Sequence, residues 1–318
     1  MSKAWKKYAL ELALTKEISW RKIAKKVGKA KSTVSDFLRD ALKKEGLYEV
    51  STGHTGAKML LFDIETSMIQ GYFWGLWQQN ISIDAIIADW YVLCWSAQWL
   101  HEDNIVNASV HTVGRYKTDL RNNEAAVVLA LWKLLDEADI VIAYNGKKFD
   151  KKKMNAKFLE YSLPEPSPYK IIDPYLIVRS NFALTSNKMD FIARYVESID
   201  EGKTKTNLGL WIRSMEDDLV SLQEMQDYCD QDIVVLKEVY MAVRHWDKSS
   251  GVNMGLYSDS DTMVCRTCGG EHLTELEATA KMTAGEYKVY RCDDCLTVQR
   301  GKKNLLDTSK RKQLLAGV

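Results

Sequence analysis

The chain has 318 residues, more than one domain usually holds, so two or three domains are expected. With 46% hydrophobic residues it has ample material for a core, and a formal net charge of only +1 leaves any nucleic-acid partner to be argued from local patches. The most apolar run, residues 86–95, is short and carries Asp89, and the N-terminus lacks a signal-peptide pattern, so a cytoplasmic chain with no membrane partner is expected, its six cysteines serving as thiols or metal ligands.

Residues 1–50 read as a compact, lysine-rich helical unit. Within it Ala24 is small where two helices would cross, and Gly28 suits a left-handed turn. Ser32 is placed to cap the next helix, and Val34, Phe37 and Leu38 give that helix an apolar face. The segment resembles a helix-turn-helix with residues 32–39 as its recognition-type helix. This implies a small all-α DNA-binding domain touching DNA through Lys31, Ser32, Thr33, Ser35 and Arg39. Its many lysines favour phosphate contact over base reading. Residues 51–56 are a polar, glycine-containing linker, and a central domain is expected over 57–250.

That domain opens with the strand Leu60-Leu61-Phe62-Asp63-Ile64-Glu65-Thr66. Side chains alternate along a strand, so Asp63 and Glu65 project together while Phe62 and Ile64 face the other way. Two carboxylates side by side near a core are costly unless a cation sits between them, and a divalent metal explains the pair. Residues 81–113 alternate and are rich in aromatic and β-branched types, as antiparallel strands would be. Residues 123–137 form an amphipathic helical pattern, 139–144 a buried strand, 148–161 a helix, 169–173 a last strand, and 220–246 a long helix. Antiparallel strands followed by strand-helix alternation predict an α/β domain with a mixed sheet and flanking helices.

The turn after the fourth strand reads Asn145-Gly146-Lys147-Lys148-Phe149-Asp150, and in the long helix Tyr228 and Asp232 lie four apart on one face. Together with Asp63 and Glu65, these resemble the three motifs of the DEDD superfamily of 3′-to-5′ exonucleases, in its tyrosine-bearing branch. The other branch carries a histidine where this chain has Asp227. More narrowly, the domain resembles the exonuclease domains of family B DNA polymerases and their free-standing phage relatives. The resemblance implies a ribonuclease-H-like fold and two Mg²⁺ or Mn²⁺ ions about 4 Å apart at the scissile phosphate. Asp63, Glu65, Asp150 and Asp232 would be the ligands. Tyr228 would orient the attacking water, a phenol being a poor base at neutral pH. Asn145 would contact the terminal nucleotide beside Phe149, with Lys147, Lys148 and Lys151, among five nearby lysines, on the phosphates. Asp227 and Asp230 read as surface acids and Asp190 as structural. Trp74 and Trp77 suit either base stacking or the core.

Cys265-Arg266-Thr267-Cys268 and Cys292-Asp293-Asp294-Cys295 have the spacing of a four-cysteine zinc ribbon over 260–300, holding one structural Zn²⁺. Residues 301–318 read as a flexible basic tail, and Cys94 and Cys229 as ordinary thiols. The expectation is a three-part nuclease cutting DNA at single-stranded 3′ ends, its flanking modules gripping duplex or junction, in a bacterium or phage-infected host. An RNA exonuclease is the alternative among enzymes, and a binding regulator on a nuclease scaffold the alternative outside them. Any partner polymerase is not identified.

Overall fold

A computed structural model describes residues 4–14, 20–29, 33, 34, 37, 56–77, 80–197, 199 and 206–315. The chain divides into two compact units, Met1–Gly53 and His54–Val318.

In the first unit, α1 (Ala4–Leu14) and α2 (Trp20–Val27) pack around Ala9, Ile23 and Val34, all fully buried. The ring of Phe37 meets that of Trp5 edge-on at 5.4 Å. Gly28 ends α2 with φ +63°, the left-handed turn that glycine adopts without a side-chain clash. Thr33 is helical and exposed. Lys31, Ser32, Ser35 and Arg39, the side chain of Ala24, and linker residues 51–55 lie outside the described residues.

The second unit is a mixed α/β structure built on a five-stranded sheet. At its centre, β1 (Met59–Thr66) accommodates its apolar run by alternation: Leu60, Phe62 and Ile64 enter one core and Met59 and Leu61 the other. Residues Gln70–Gly71 (β2) and Ile86–Ala88 (β3) form a separate small ribbon. On one side β1 pairs antiparallel with β4 (Val92–Trp99), which pairs antiparallel with β5 (Ile105–Ser109). On the other it runs parallel to β6 (Ile140–Ile142), itself parallel to β7 (Lys170–Ile172). The expected switch from antiparallel to parallel pairing thus falls at β1.

Helices cover both faces. The first core includes Val127, Val128 and Leu131 of α3 (Glu124–Glu137) with Met154 and Phe158 of α4 (Asp150–Glu160). The second includes Ile177 of α5 (Pro174–Asn181) and Ile192 of α6 (Met189–Tyr195). After α7 (Leu208–Met215), the long α8 (Leu219–Val243) serves both cores, giving Leu222 and Met225 to the first and Ile233, Leu236 and Val239 to the second. Each such fully buried side chain contributes about 1.5–3 kcal/mol. Among the described residues no helix is long and apolar enough to cross a membrane.

Beyond α8 lies a three-stranded antiparallel sheet, β8 (Leu273–Met282), β9 (Gly285–Cys292) and β10 (Val298–Asn304), in the order β10-β9-β8. Of these strands, β9 carries the run Tyr287-Lys288-Val289-Tyr290-Arg291 that leads into Cys292. The flexible tail expected from residue 301 is corrected: Lys302 and Lys303 belong to β10. The short helix α9 (Thr308–Lys312) follows, capped by the Asp307 carboxylate accepting from the Lys310 N–H at 2.7 Å. Asn304 Oδ1 fixes the bend between them by accepting from the N–H groups of Glu286 and Leu306.

Candidate active site

Three acids from two elements converge. Asp63 and Glu65 share a face of β1, and Asp232 sits buried on α8; one ligand oxygen of each lies within 4.8 Å of the others. At the same end of the sheet, β6 stops pairing with β1 at Leu61 and turns away. The freed β1 edge is taken up by Asp150, the first residue of α4, whose carboxyl accepts the Ile64 N–H between the two strand acids. Asp150 is 3% exposed and stands outside the close triplet. Burial pushes its carboxyl up to about 7, the negative charge of Asp173 adding to the effect and the Ile64 N–H opposing it.

The loop feeding α4 is held tightly. Asn145 is left-handed, with φ +60°, and a Cβ on Gly146 would come within 2.3 Å of the Ala143 Cβ, so this position requires glycine. Asp173, at the end of β7, accepts the N–H of Asn145 at 2.8 Å and of Lys147 at 3.3 Å. Its own carboxyl is raised by burial. Sequence reasoning missed Asp173 as a site residue. The available signal was an acid at a strand end directly before Pro174, a place where backbone N–H groups need an acceptor.

Asp63, Asp173 and Asp232 open onto a cleft of about 790 Å³, with Asn145, Lys147, Lys148 and Asp190 also in its wall. Asp190 is ion-paired with Arg194 at 2.7 Å. Of the five lysines around Asp150, Lys147 and Lys148 line the cleft, whereas helix α4 turns the others aside. Lys151 lies 5.7 Å from the Tyr169 ring, and Lys153 lies 3.6 Å from the Trp90 ring and 5.7 Å from that of Phe149. Phe149 itself is partly exposed.

Tyr228 is buried one helical turn before Asp232, edge-on to Trp211 at 6.1 Å. Beneath the acids lie Cys94 and Cys229, whose thiols burial keeps protonated; Cys229 Sγ donates to the Asp63 carbonyl at 3.6 Å. Asp230 is corrected from surface acid to structural anchor, accepting from Ser96 Oγ at 2.5 Å, Asn107 Nδ2 at 2.9 Å and Gln226 Nε2 at 3.0 Å, which pins α8 across β4 and β5. Asp227 is an exposed acid hydrogen-bonded to Gln223. Trp74 and Trp77 are not core residues: with Tyr72, Phe73 and Leu76 they stand exposed on the segment that leaves β1.

The four cysteines form a second cluster. Cys265 and Cys295 lie 3.6 Å apart at sulfur, as do Cys268 and Cys292. That is too long for a disulfide and close to the S···S edge of about 3.8 Å that a tetrahedral Zn–S distance of about 2.3 Å imposes. Cys265 is driven toward thiolate by hydrogen bonds from Cys268 and Cys295, reinforced by backbone N–H groups. Gly269 and Leu296, each directly after a Cys-x-x-Cys pair, are both left-handed, so the two knuckles share one backbone form. Among the described residues, the apolar packing around the thiols comes from Leu273 alone. The donor set therefore fits a metal, and the module has no core to replace one.

The sequence model of the RNase_H superfamily matches residues 101–244, a span that holds β5 through α8 with Asn145, Asp150, Tyr228 and Asp232. That span is similar to the RNase_H superfamily, and the mixed sheet flanked by helices is consistent with an RNase H-like fold. Among solved structures, the family B DNA polymerase of the hyperthermophilic archaeon Pyrobaculum calidifontis is similar at 13% identity and a TM-score of 0.39, over 59% of this chain and 26% of the polymerase. The chain thus spans about a quarter of that polymerase's length. No curated protein matches significantly.

Proposed function

We propose that the protein is a metal-dependent 3′-5′ exonuclease acting on DNA 3′ ends. The observation that carries this reading is the meeting of Asp63, Glu65 and Asp232 within 4.8 Å. Three carboxylates this close stay ionised together only beside cations. All-oxygen donors fit Mg²⁺ or Mn²⁺, which when bound would polarise the scissile phosphate and a water molecule.

The chain's own residues divide the remaining work. Asp63, Glu65 and Asp232 hold the cations, and Asp150 supports them from the start of α4 while fixing β1 through Ile64. Tyr228 orients the attacking water. Lys147 and Lys148 hold the strand's phosphates at the cleft wall, and Asn145, locked by Asp173, meets the terminal nucleotide beside Phe149. Unpaired bases stack on the exposed Trp74 and Trp77. The N-terminal unit adds phosphate contacts through Lys31, Ser32, Thr33, Ser35 and Arg39, and Cys265, Cys268, Cys292 and Cys295 hold one structural Zn²⁺.

The test is digestion of strands labelled at either end, as DNA and as RNA, in Mg²⁺. Stepwise loss of nucleotides from DNA 3′ ends is expected. Preference for RNA would move the substrate assignment to RNA, and absence of hydrolysis with every substrate would leave only the binding reading.

A further inference from the structure

The β8–β10 sheet carries a second groove, of about 520 Å³, that shares no lining residue with the carboxylate cleft. Its rim holds Lys248, Arg266, Arg300 and Lys302, and none of the described residues lining it is acidic. Its floor is apolar, with Met282 and Val289 among its residues. Two of the cations are anchored to backbone carbonyls: Lys248 Nζ donates to Val298 at 2.8 Å and Arg266 Nη2 to Val252 at 3.3 Å. The guanidinium of Arg300 lies 4.3 Å from the Tyr287 ring, which holds it without neutralising it.

Charge is treated differently on the other face of the same sheet. Side chains alternate along β9, so Lys288 and Tyr290 face away from Val289. There Lys288 is ion-paired with Glu275 at 2.8 Å. Among the described residues none of the four groove cations is in an ion pair. Gathering four like charges over an apolar floor costs free energy through mutual repulsion, and an anionic ligand would offset that cost.

We propose that this groove binds the phosphodiester backbone of a nucleic-acid strand, as a contact separate from the site of hydrolysis. The floor accepts sugar and base surface while the rim takes the phosphates, a combination that holds strands without reading sequence. The choice of nucleic acid over other polyanions rests on the exonuclease reading above.

The experiment uses the full-length, zinc-containing protein and the double variant R300Q/K302Q. Binding to a labelled single-stranded oligonucleotide is followed by anisotropy across a salt series without added Mg²⁺. Hydrolysis of the p-nitrophenyl ester of thymidine 5′-phosphate in Mg²⁺ reports the carboxylate cleft alone, because that substrate is too small to span both sites. The variant should bind at least about tenfold more weakly, with the slope of log affinity against log salt shallower by about 1.4, or about 0.7 for each phosphate left without its cation. Ester turnover and zinc content should not change. R300K/K302R, which keeps the charges, should bind like wild type. Unchanged affinity and slope in R300Q/K302Q would overturn the proposal, as would equal weakening in R300K/K302R, which would trace the effect to the ribbon's fold. Failure of the wild type to cleave the ester would count against the exonuclease alone, since binding is read without it.

Discussion

Asp150→Asn separates the electrostatics of the site from its packing. An ordinary aspartate titrates at 3.8, whereas burial, with the nearby Asp173 charge, raises Asp150 to about 7. The native state therefore prefers the protonated acid. The stability this confers is complete below about pH 4, falls as pH rises toward 7, and stays lost above that. A separation of about three pH units at about 1.36 kcal/mol each sets the loss at roughly 4 kcal/mol. Asparagine cannot ionise but keeps an oxygen for the Ile64 N–H. In buffer free of Mg²⁺ and of chelator, so that a metal on the four cysteines is not stripped, wild type and variant should unfold alike near pH 4, and the variant should be more stable by up to roughly 4 kcal/mol at pH 8. Urea titration followed by tryptophan fluorescence reads this, Trp95 being buried in the core with its indole N–H on the Val127 carbonyl. Mg²⁺ should narrow the difference at pH 8 by stabilising the ionised carboxylate, and the variant should hydrolyse DNA far more slowly. Parallel stability curves from pH 4 to 8 would refute the reasoning.

Other perturbations address other parts of the molecule. Glu124→Ala removes the more buried of the two carboxylates on Lys157, a pair at 3.0 Å, and leaves the Val92 N–H and the Tyr161 hydroxyl without their acceptor; Lys157 keeps Glu160 at 2.8 Å, so urea unfolding should show a loss of about 1–3 kcal/mol. Cys292→Ser should release about one zinc per chain by elemental analysis and melt the β8–β10 sheet, leaving the core's circular dichroism intact. Tyr228→Phe should slow cleavage without changing Mn²⁺ affinity, and an equal fall in both would remove its role in orienting water. Trp74→Ala, at a fully exposed position, should leave the melting temperature unchanged and weaken binding of single strands by about 1–3 kcal/mol.

Period-two and helical patterns carry local information, and the sheet and the long helix were legible for that reason. β1 and β4 are short apolar runs buried on both faces, α8 keeps a helical period of buried residues from Leu222 to Val243, and the switch from strand runs to strand-helix alternation marked where pairing turns parallel. The pair Asp63 and Glu65 was readable because two acids in an apolar strand conflict with their surroundings. What stayed hidden depends on contacts distant in sequence. Asp173 matters only because β7 ends beside the Asn145 loop, and Asp230 only because α8 crosses β4 and β5. Glu124 and Lys157 look like solvated helix charges until α3 and α4 are packed together. The β8 strand was missed because its residues are mostly exposed and polar, so no apolar alternation announced it. The same holds for β10, where lysines in a paired strand look like a tail.

The claim that Asp63, Glu65 and Asp232 form one cation site that performs hydrolysis is tested most directly by Mn²⁺ binding, followed by electron paramagnetic resonance, with cleavage measured on the same samples. Wild type should bind Mn²⁺ and degrade DNA, while Asp63→Ala and Asp232→Ala should each lose both properties and keep their zinc and their fold. Wild-type Mn²⁺ affinity together with wild-type turnover in either variant would contradict the account.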